Sequence, residues 1–481
     1  MTMTGLVLIP LTLILAIGDW GRLIVFLVVV SGLFSDAAVV NFSNFGIQPG
    51  YWVMLVVLAR AAIELIVRQE PVRRDVLVRF LPMLVLVAAS VAALFFASSF
   101  YEGNIIVQSS RDGQNGNGSL FHFRLENYAQ HFYVVLNTLG ALVVAHKVSR
   151  MSPFAISRLV NQALHGFIIL SSMFVLWQWL HYTFGLYYPD KDFFHTNASY
   201  AQAYGQNMAD FGYRLCGSFS EPSALAYYFS GALLFAYRQY EINRSTLALV
   251  GTALSILLLV ISTSTSAYLI VSLFILRFAI QQAPRIALLI TDGSASFASR
   301  PSHTLFVLAA VLGIIVFLLT HQDLVGFVVK TFIVDKPGTD SFSVRARADG
   351  LALKVAAETW GMGLGLGSHK ANTLPMTLLS NTGVIGLFAF VWFVVGSFRS
   401  AQAACRRTPA LASAIRPTQW FLVGLLIQHC FMNPNFNMAM FWAVIGVLVG
   451  ASFGTTQWAE FPARPASRFE PVFPSLPHST V

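Results

Sequence analysis

Charged residues are scarce in this 481-residue chain, in which Asp, Glu, Lys and Arg together make up 11% of the sequence. A soluble domain carries about a quarter of its residues as charged side chains to cover its surface. Hydrophobic residues instead make up 56%, and the mean hydropathy is +0.66. Because about 20 apolar residues cross a bilayer and such windows recur along the chain, the sequence predicts an all-α integral membrane protein.

Cysteine is also scarce, and Cys216, Cys405 and Cys430 are too scattered for a disulfide framework or a zinc site. The sequence lacks a His-Glu-x-x-His motif. We therefore expect no metal ion and no other cofactor. The N-terminal segment MTMTGLVLIPLTLILAIG lacks the basic region and cleavage site of a signal peptide, so we expect a retained membrane segment.

The net charge is +9, and the basic residues lie beside the apolar windows. This arrangement is typical of membrane proteins, whose cytoplasmic loops collect Lys and Arg, and it disfavours nucleic acid as a partner. Basic residues follow alternate windows and predict one cytoplasmic face: Arg68, Arg73, Arg74, Lys147, Arg150, Arg158, Arg238, Arg244, Arg277, Arg399, Arg406, Arg407 and Arg416.

The apolar windows predict about twelve or thirteen transmembrane helices in a single membrane domain over residues 1–454. They lie near residues 5–18, 22–34, 50–67, 77–97, 132–146, 163–183, 223–238, 247–262, 267–280, 304–320, 376–397, 418–431 and 438–454. Long polar loops are predicted on the opposite, non-cytoplasmic face: 98–131 and the two largest, 184–222 and 321–375. The last of these has a helical pattern at 345–358. The proline-rich segment 455–481 is expected to be a disordered cytoplasmic tail.

A polar segment from Arg214 to Ala224, RLCGSFSEPSA, leads directly into an apolar window. It places a guanidinium, a glycine turn and the Glu221 carboxylate just before a predicted helix start at Pro222 and Ser223. Free N–H groups at a helix start favour an anion, and a nearby arginine grips phosphate with two bonds. A phosphate site and a capping turn with an interfacial arginine are equal alternatives for these residues.

A second polar segment runs from Ser341 to Gly386. Arg345 and Arg347 begin an amphipathic helix on the non-cytoplasmic face, against the usual charge distribution of membrane proteins. An acidic ligand is a good reason for two arginines to be exported to that face.

Glycines follow that helix in alternation with apolar residues, at Gly361, Gly363, Gly365 and Gly367. Such a run predicts a tight turn where backbone approaches a ligand, although it lacks the GxGxxG spacing of a nucleotide-binding loop. His369 and Lys370 come directly afterwards. His369 is either a hydrogen-bonded structural group or a catalytic base, and the sequence leaves both open.

Other polar groups have structural interpretations. The hydroxyl run Ser262–Ser266 is expected to cap two helices rather than to bind sugar or phosphate. Asn433–Asn437 predicts an outer turn. Arg60 and Glu64 are four residues apart and predict an internal ion pair, because a proton relay needs a chain of such groups.

With these motifs the chain resembles the O-antigen polymerase and O-antigen ligase superfamily, the lipid-linked glycan transferases of bacterial envelopes. The resemblance rests on RLCGSFSEPSA before a helix, on STSTSAYLIVSL, and on the succession of SVRAR, GLGLGS and LLSNTGVIGLFAF. It covers approximately residues 200–400, and within that span the chain is most similar to the exopolysaccharide-polymerase branch. The first five windows match only in general character.

The resemblance implies an inverting, metal-independent glycosyltransferase of GT-C-like architecture in the bacterial inner membrane. Its donor would be a glycan on undecaprenyl diphosphate at the periplasmic face, and its acceptor another glycan. The implied diphosphate ligands are Arg214, Arg345 or Arg347, and Lys370, which would stabilise the leaving charge. The implied base is His369 or Glu221. In ligases that His is followed by Asn, whereas Lys370 follows it here.

The leading hypothesis is a polymerase that joins lipid-linked oligosaccharide repeat units into an exopolysaccharide or O-antigen. Its expected partners are membrane lipid, a chain-length regulator and export proteins. The alternative within the enzyme class is a ligase that transfers finished glycan to lipid A core or protein. A transporter or flippase for the same lipids would need charges around a central cavity and helices broken near midplane, whereas the unusual polar residues here lie in outer loops.

Overall fold

The computed structural model describes most of the chain, namely residues 1–42, 45–69, 71–108, 118–198, 207–208, 212–292, 340–431 and 436–454, with the single residues 326, 330 and 338. The predicted window 304–320, the predicted tail 455–481 and most of the predicted turn at 433–437 lie outside the described residues.

The described chain is mostly helical, as the sequence predicts. Its helices are α1 (Met3–Ile17), α2 (Trp20–Leu33), α3 (Pro49–Arg68), α4 (Arg74–Arg79), α5 (Leu81–Phe100), α6 (Leu125–Val148), α7 (Pro153–Phe184), α8 (Pro222–Asn243), α9 (Thr246–Ile261), α10 (Thr265–Asp292), α11 (Asp340–Glu358), α12 (Leu374–Arg407), α13 (Ala412–Phe431) and α14 (Ala439–Ser452). Each predicted window within the described residues corresponds to one helix, and the pattern at 345–358 corresponds to α11. The short helix α4 was not predicted.

Six of the described helices are long and apolar enough to cross a membrane: α3, α5, α6, α7, α12, and α13 with the short turn before it. The apolar parts of α1, α2, α9, α10 and α14 are shorter. A helix satisfies its own backbone hydrogen bonds, so it is the element that an apolar run can form in lipid. The described helices are therefore compatible with a multi-pass membrane protein.

Short strands form antiparallel pairs in the loops: β1 (Val40–Phe42) with β2 (Phe45–Ile47), β3 (Ile106–Val107) with β4 (Ser119–Leu120), and β5 (Asn207–Met208) with β6 (Gly212–Tyr213). The all-helical expectation is corrected at these loops. Strands of two or three residues form there because the polar loops must pair their backbone groups outside the helices.

The helices form a bundle with two chemically different ends. At the end that we call the arginine end, Arg73 donates to the Phe453 carbonyl at 2.7 Å and to the Ser149 carbonyl at 3.4 Å, tying α4 to the ends of α6 and α14. At the opposite end, which we call the loop end, Asn437 donates to Gln130 at 2.5 Å and joins the starts of α14 and α6.

The predicted pair of Arg60 and Glu64 is confirmed, with Arg60 Nε 3.1 Å from the Glu64 carboxylate. Lys147 Nζ lies 2.5 Å from the same carboxylate, and Trp20 Nε1 donates to it at 3.0 Å. The Arg60 guanidinium also lies 4.2 Å from the centre of the Trp20 ring. This cluster joins α2, α3 and α6 near the arginine end, which is the structural role that the sequence favours.

Helix α8 carries the Glu221 segment into the middle of the bundle. It packs against α7, α9, α10 and α13, and large side chains such as Tyr227, Tyr228, Phe229 and Phe235 are buried along it. Because α8 is enclosed on several sides, its first residue has a fixed position at the loop end. The residues just before it form the first part of the candidate site.

Candidate functional site

Arg214 lies against the turn between α9 and α10. Its Nε donates to Thr263 Oγ1 at 3.0 Å, and its Nη2 donates to the Thr263 carbonyl at 3.3 Å. Ser262 Oγ donates to the Leu259 carbonyl at 2.7 Å, which caps the end of α9. The capping role predicted for the hydroxyl run is confirmed there, and Thr263 has the additional role of orienting Arg214.

Glu221 precedes the first residue of α8 and is exposed at the loop end. Its carboxylate accepts a hydrogen bond from the Ser223 hydroxyl. Burial lowers the pKa of the half-buried Arg214 guanidinium, and the negative charge of Glu221 opposes that shift. A cation and a carboxylate therefore lie together at the start of α8, as the sequence predicts for this segment.

A single peptide group before Glu221 is held from both sides. The N–H of Ser220 donates to Asp36 Oδ2 at 2.5 Å, and the carbonyl of Phe219 accepts from His195 Nε2 at 3.0 Å. Asp36 follows α2, whereas His195 follows α7, so two separate loops fix the same peptide plane. We call Asp36, His195, Phe219 and Ser220 the peptide clamp.

Asp190 completes the surroundings of this clamp, with its carboxylate 2.7 Å from His195 Nδ1. Both ring nitrogens of His195 thus face oxygen atoms, so the ring is held from two sides. Burial raises the pKa of Asp36, while the charge of His195 and the hydrogen bonds from Ser220 and Ser35 oppose that rise.

Asp36 and His195 are not among the residues that the sequence singles out. The available signal for Asp36 is an isolated carboxylate directly after an apolar window, on the same face as the RLCGSFSEPSA segment. His195 carries a weaker signal, because one histidine in a polar loop is common. Gln178 was missed as well, and its carbonyl accepts from Cys216 N at 2.8 Å and Gly217 N at 2.7 Å.

The second part of the site is built on a break in α12. Gly383 has φ of 67° and ψ of −172° inside this helix, so the helical hydrogen bonds around it are interrupted. The glycine run replaces them: Leu364 N donates to the Ser380 carbonyl at 3.0 Å, and Gly365 N donates to the Asn381 carbonyl at 2.7 Å. The run therefore fills the broken helix with backbone rather than leaving it open.

Only glycine suits this contact. Gly361, Gly363, Gly365 and Gly367 have φ between 75° and 86°, a region that residues with a Cβ rarely occupy. A Cβ on Gly363 would lie 2.7 Å from the Gly383 nitrogen. The sequence predicts that this backbone approaches a ligand closely. In the described structure the close neighbours are protein groups: the backbone of α12 at Gly363, Leu94 of α5 at Gly365, and the backbone of α6 at Gly367.

Asn381 connects the break to the residues after the glycine run. Its Oδ1 accepts from Ser368 N at 3.1 Å and from His369 N at 3.0 Å, and its Nδ2 donates to the His369 carbonyl at 2.8 Å. On the other side of the run, Asn127 of α6 donates to the Leu366 carbonyl at 3.0 Å. The chain at 364–369 is consequently held between α6 and α12.

His369 is buried, with 3% of its surface exposed. Its Nδ1 accepts from Gln108 N at 3.1 Å, and its Nε2 lies 3.0 Å from the Ala348 carbonyl, to which it must donate. Burial lowers the pKa of His369 to about 4. In this conformation both nitrogens of the neutral ring are used by backbone groups, which matches the structural alternative left open by the sequence.

The cationic candidates of this segment differ in exposure. Arg345 is half-buried on α11, on the side of the buried residues Ala348 and Ala352, whereas Arg347 is exposed. Lys370 is exposed, and its backbone N–H donates to the Gln108 carbonyl at 2.8 Å. The two arginines thus differ in exposure in the structure, whereas the sequence leaves Arg345 and Arg347 as alternatives.

The last turn of α13 connects the two parts of the site. Gln428 donates to the Ser266 carbonyl at 3.1 Å, beside the turn that holds Arg214. One turn later, the Phe431 carbonyl accepts from Asn372 Nδ2 at 3.2 Å, beside the His369 segment. The Arg214 and His369 segments therefore lie on either side of the same helix end.

Within the part of the chain that the structure describes, no three His, Cys, Asp or Glu side chains are grouped so as to hold a metal ion. A comparison with protein-family models and a comparison with curated proteins find no match to the chain.

Proposed function

We propose that this protein joins undecaprenyl-diphosphate-linked oligosaccharide repeat units into an exopolysaccharide or O-antigen. The observation that supports it best is the placement of Arg214 and Glu221 together at the start of α8, at the end of the bundle opposite the arginine end. A leaving diphosphate needs a cation, and an acceptor hydroxyl needs a base. The proposal places both groups at the membrane surface, where a lipid-linked sugar would meet them.

In the proposed reaction, Arg214 and Arg345 bind the diphosphate of the donor, with Lys370 at the exposed rim. The acceptor hydroxyl loses its proton to Glu221 and attacks the anomeric carbon from the opposite face. The bond from that carbon to the diphosphate oxygen breaks, and the electron pair stays on the diphosphate. Configuration inverts, and no metal step is required.

The roles of the two base candidates follow from their surroundings. Glu221 is exposed, and its carboxylate accepts from the adjacent Ser223 hydroxyl, so it can receive a proton. His369 would first have to break a backbone hydrogen bond at one of its nitrogens. The proposal therefore assigns the base to Glu221 and the support of the surrounding loop to His369.

The proposed topology places the loop end in the periplasm and the arginine end in the cytoplasm of the bacterial inner membrane. In this topology every described helix except the short α4 and the amphipathic α11 would span the membrane. Between α10 and α11 the chain passes from the arginine end to the loop end, so the thirteenth span is expected at the predicted window 304–320.

The break in α12 bears on the alternative of a transporter or flippase. It lies about 14 Å along the helix at 1.5 Å per residue, and a broken helix is a feature of many transporters. In those proteins the freed backbone groups bind an ion or substrate, whereas here the Ser380 and Asn381 carbonyls accept from the glycine run. This difference favours the enzyme.

Replacing Arg214 with Ala tests the proposal. We expect the rate of polymer formation to fall about 100-fold or more, because one preorganised donor to a developing charge contributes that much. The measurement is the chain-length distribution of polymer on gels, with the variant expressed in place of the native protein. The matched control is Lys354→Ala, which removes an exposed cation of α11 at the same end.

Normal chain lengths with Arg214→Ala at equal protein levels would contradict the proposal. Glu221→Gln should cause a comparable loss because the amide does not accept the acceptor proton. Mass spectrometry of the products separates polymerase from ligase, since a polymerase extends lipid-linked repeat units and a ligase forms a bond to lipid A core or protein. Transport of intact lipid-linked sugar without any new glycosidic bond would favour the flippase.

A further inference from the structure

A cavity of about 880 Å³ opens at the arginine end, far from the candidate catalytic residues. Helix α4 and the first turns of α5 form one side of it, and Trp392 of α12 forms the other. Its polar end is lined by Arg73, Arg74, Asp75 and Arg79. The rest of its wall is apolar, so the cavity combines a cationic end with a hydrophobic lining.

Arg79 is the charged group set deepest in this wall. Its guanidinium lies against α12, where Nη2 donates to the Ser400 hydroxyl, and a Cβ at Gly396 would lie 2.4 Å from Nη1. Its Nε is buried without a hydrogen-bond partner among the described residues. A buried donor of a charged group that lacks an acceptor is costly, so an acceptor is expected at this position.

The net charge at the polar end is positive. Asp75 is already paired with Arg73, whose Nη2 and Nε lie 2.6 Å and 3.2 Å from its two oxygens. Arg74 is exposed and forms no ion pair with a described residue. After the Asp75 pair is neutralised, the positive charges of Arg74 and Arg79 remain for an anion.

The apolar wall continues away from these cations. Val78, Leu81, Val85 and Trp392 line it, and between 46% and 59% of the surface of each is exposed. Leu81 is the first residue of α5, so this wall begins where a membrane-crossing helix begins. An occupant should therefore carry a phosphate at one end and a hydrocarbon chain at the other.

We propose that this cavity binds one anionic phospholipid of the surrounding membrane, with its phosphate on Arg74 and Arg79 and an acyl chain along Val85 and Trp392. Basic pockets between helices on the cytoplasmic side of membrane proteins bind lipid headgroups of this kind. The site is independent of the proposed polymerase activity, because it lies at the opposite end of the bundle.

Native mass spectrometry of the purified full-length protein tests this site with phosphatidylglycerol and with phosphatidylcholine of the same acyl chains. We expect one phosphatidylglycerol to remain bound more tightly than phosphatidylcholine. Arg74→Gln should weaken its binding about fivefold, which corresponds to the contribution of one arginine near a membrane surface. Arg79→Gln should have a similar or larger effect.

The matched control is Arg406→Gln, which removes an exposed charge at the same end but outside the cavity. Thermal unfolding of each variant identifies any that misfolds. Arg74→Gln should fold, because Arg74 is exposed and its replacement removes little packing. Equal binding of both lipids, or equal losses in Arg74→Gln and Arg406→Gln, would overturn the proposal. Preferential displacement of phosphatidylglycerol by undecaprenyl phosphate would also overturn it and would assign the site to a polyprenyl lipid.

Discussion

His369 connects the loop before α12 to α11 only while its ring is neutral, because Gln108 N–H requires an acceptor at Nδ1. A proton added to that nitrogen would place two N–H groups against each other. Burial also opposes the charged ring and lowers the pKa of His369 to about 4. One side chain thus makes the packing of this loop sensitive to acid.

The sign of this effect follows from the two pKa values. The folded pKa of about 4 lies below the unfolded value of 6.5, so the unfolded chain binds the proton more readily. The stabilising contribution is complete above about pH 6.5 and is lost as the pH falls through about 4. At 1.36 kcal/mol per pKa unit, it amounts to about 3 kcal/mol.

We therefore predict that His369→Gln removes part of the acid destabilisation of the protein. Glutamine can accept from Gln108 N–H and donate to the Ala348 carbonyl, but it does not titrate. The measurement is thermal unfolding in detergent between pH 7.5 and pH 4.5. The control is His122→Gln, whose side chain is 54% exposed in the native protein, and an unchanged pH slope in His369→Gln would argue against this role.

At the scale of single residues, the sequence identified charged side chains at positions where a largely apolar chain seldom has them. Arg214 and Glu221 stand out because charges are rare and a helix start follows them. Asp36 could not be assigned to the same site, because its partner Ser220 is 184 residues away. Side-chain type is visible in one sequence, whereas pairing across the fold is not.

Among the elements, α12 and the glycine run are complementary structures. The break at Gly383 frees carbonyls of the helix, and the run supplies N–H groups at the spacing needed to bond them. Irregular backbone inside a membrane protein is tolerated when protein groups satisfy it. Neither element would be stable alone in an apolar surrounding.

We predict that Gly363→Ala destabilises the protein by about 2 kcal/mol or more, because a left-handed conformation with a Cβ costs about 1–2 kcal/mol and the clash adds to it. The added Cβ would lie 2.7 Å from Gly383 N and 2.8 Å from the Asn381 carbonyl carbon. The measurement is the thermal midpoint of the purified variant.

Gly350→Ala is the matched substitution for this test. Gly350 lies inside α11, and a Cβ there meets nothing within 4 Å. Since alanine is favoured over glycine by about 1 kcal/mol in a helix, this variant should be neutral or more stable. Equal midpoints for the two variants would contradict the tight contact at Gly363.

The existence of nearly every helix could be predicted, since most coincide with an apolar window and α11 coincides with an amphipathic pattern. The glycine run was recognisable as a tight turn. The group that it contacts could not be predicted, because alternating glycines permit close contact with a ligand and with protein backbone alike. The short helix α4 was missed for a different reason. Its six residues, RDVLVR, are too few for periodicity and lie between two stronger apolar windows.

For the whole molecule, the separation of its two ends determines which surfaces face water on each side of the membrane. Arg73, Arg79 and Arg407 all bond groups at the arginine end. Arg214 and Arg345 are at the other end, against the usual charge distribution. This separation gives a direct test of orientation.

We predict that a membrane-impermeant maleimide labels Lys354→Cys in cells with a permeabilised outer membrane, and labels Arg406→Cys only after lysis. Both positions are exposed, on α11 and at the end of α12 respectively. The exposed Cys430 is replaced by Ser in both variants, while Cys216 and Cys405 are buried. The reverse labelling pattern would place the loop end in the cytoplasm.

The peptide clamp also sets the order in which the chain can be completed during synthesis. Asp36 is made 184 residues before Ser220, which at 5–20 residues per second is an interval of about 10 to 40 s. During that interval the carboxylate lacks its peptide N–H partner, so the loop after α2 stays hydrated at the membrane surface. The loop after α2 can therefore contact the start of α8 only when that helix begins to emerge. The contacts of α2 and α3 with α14 form later still, at the end of synthesis.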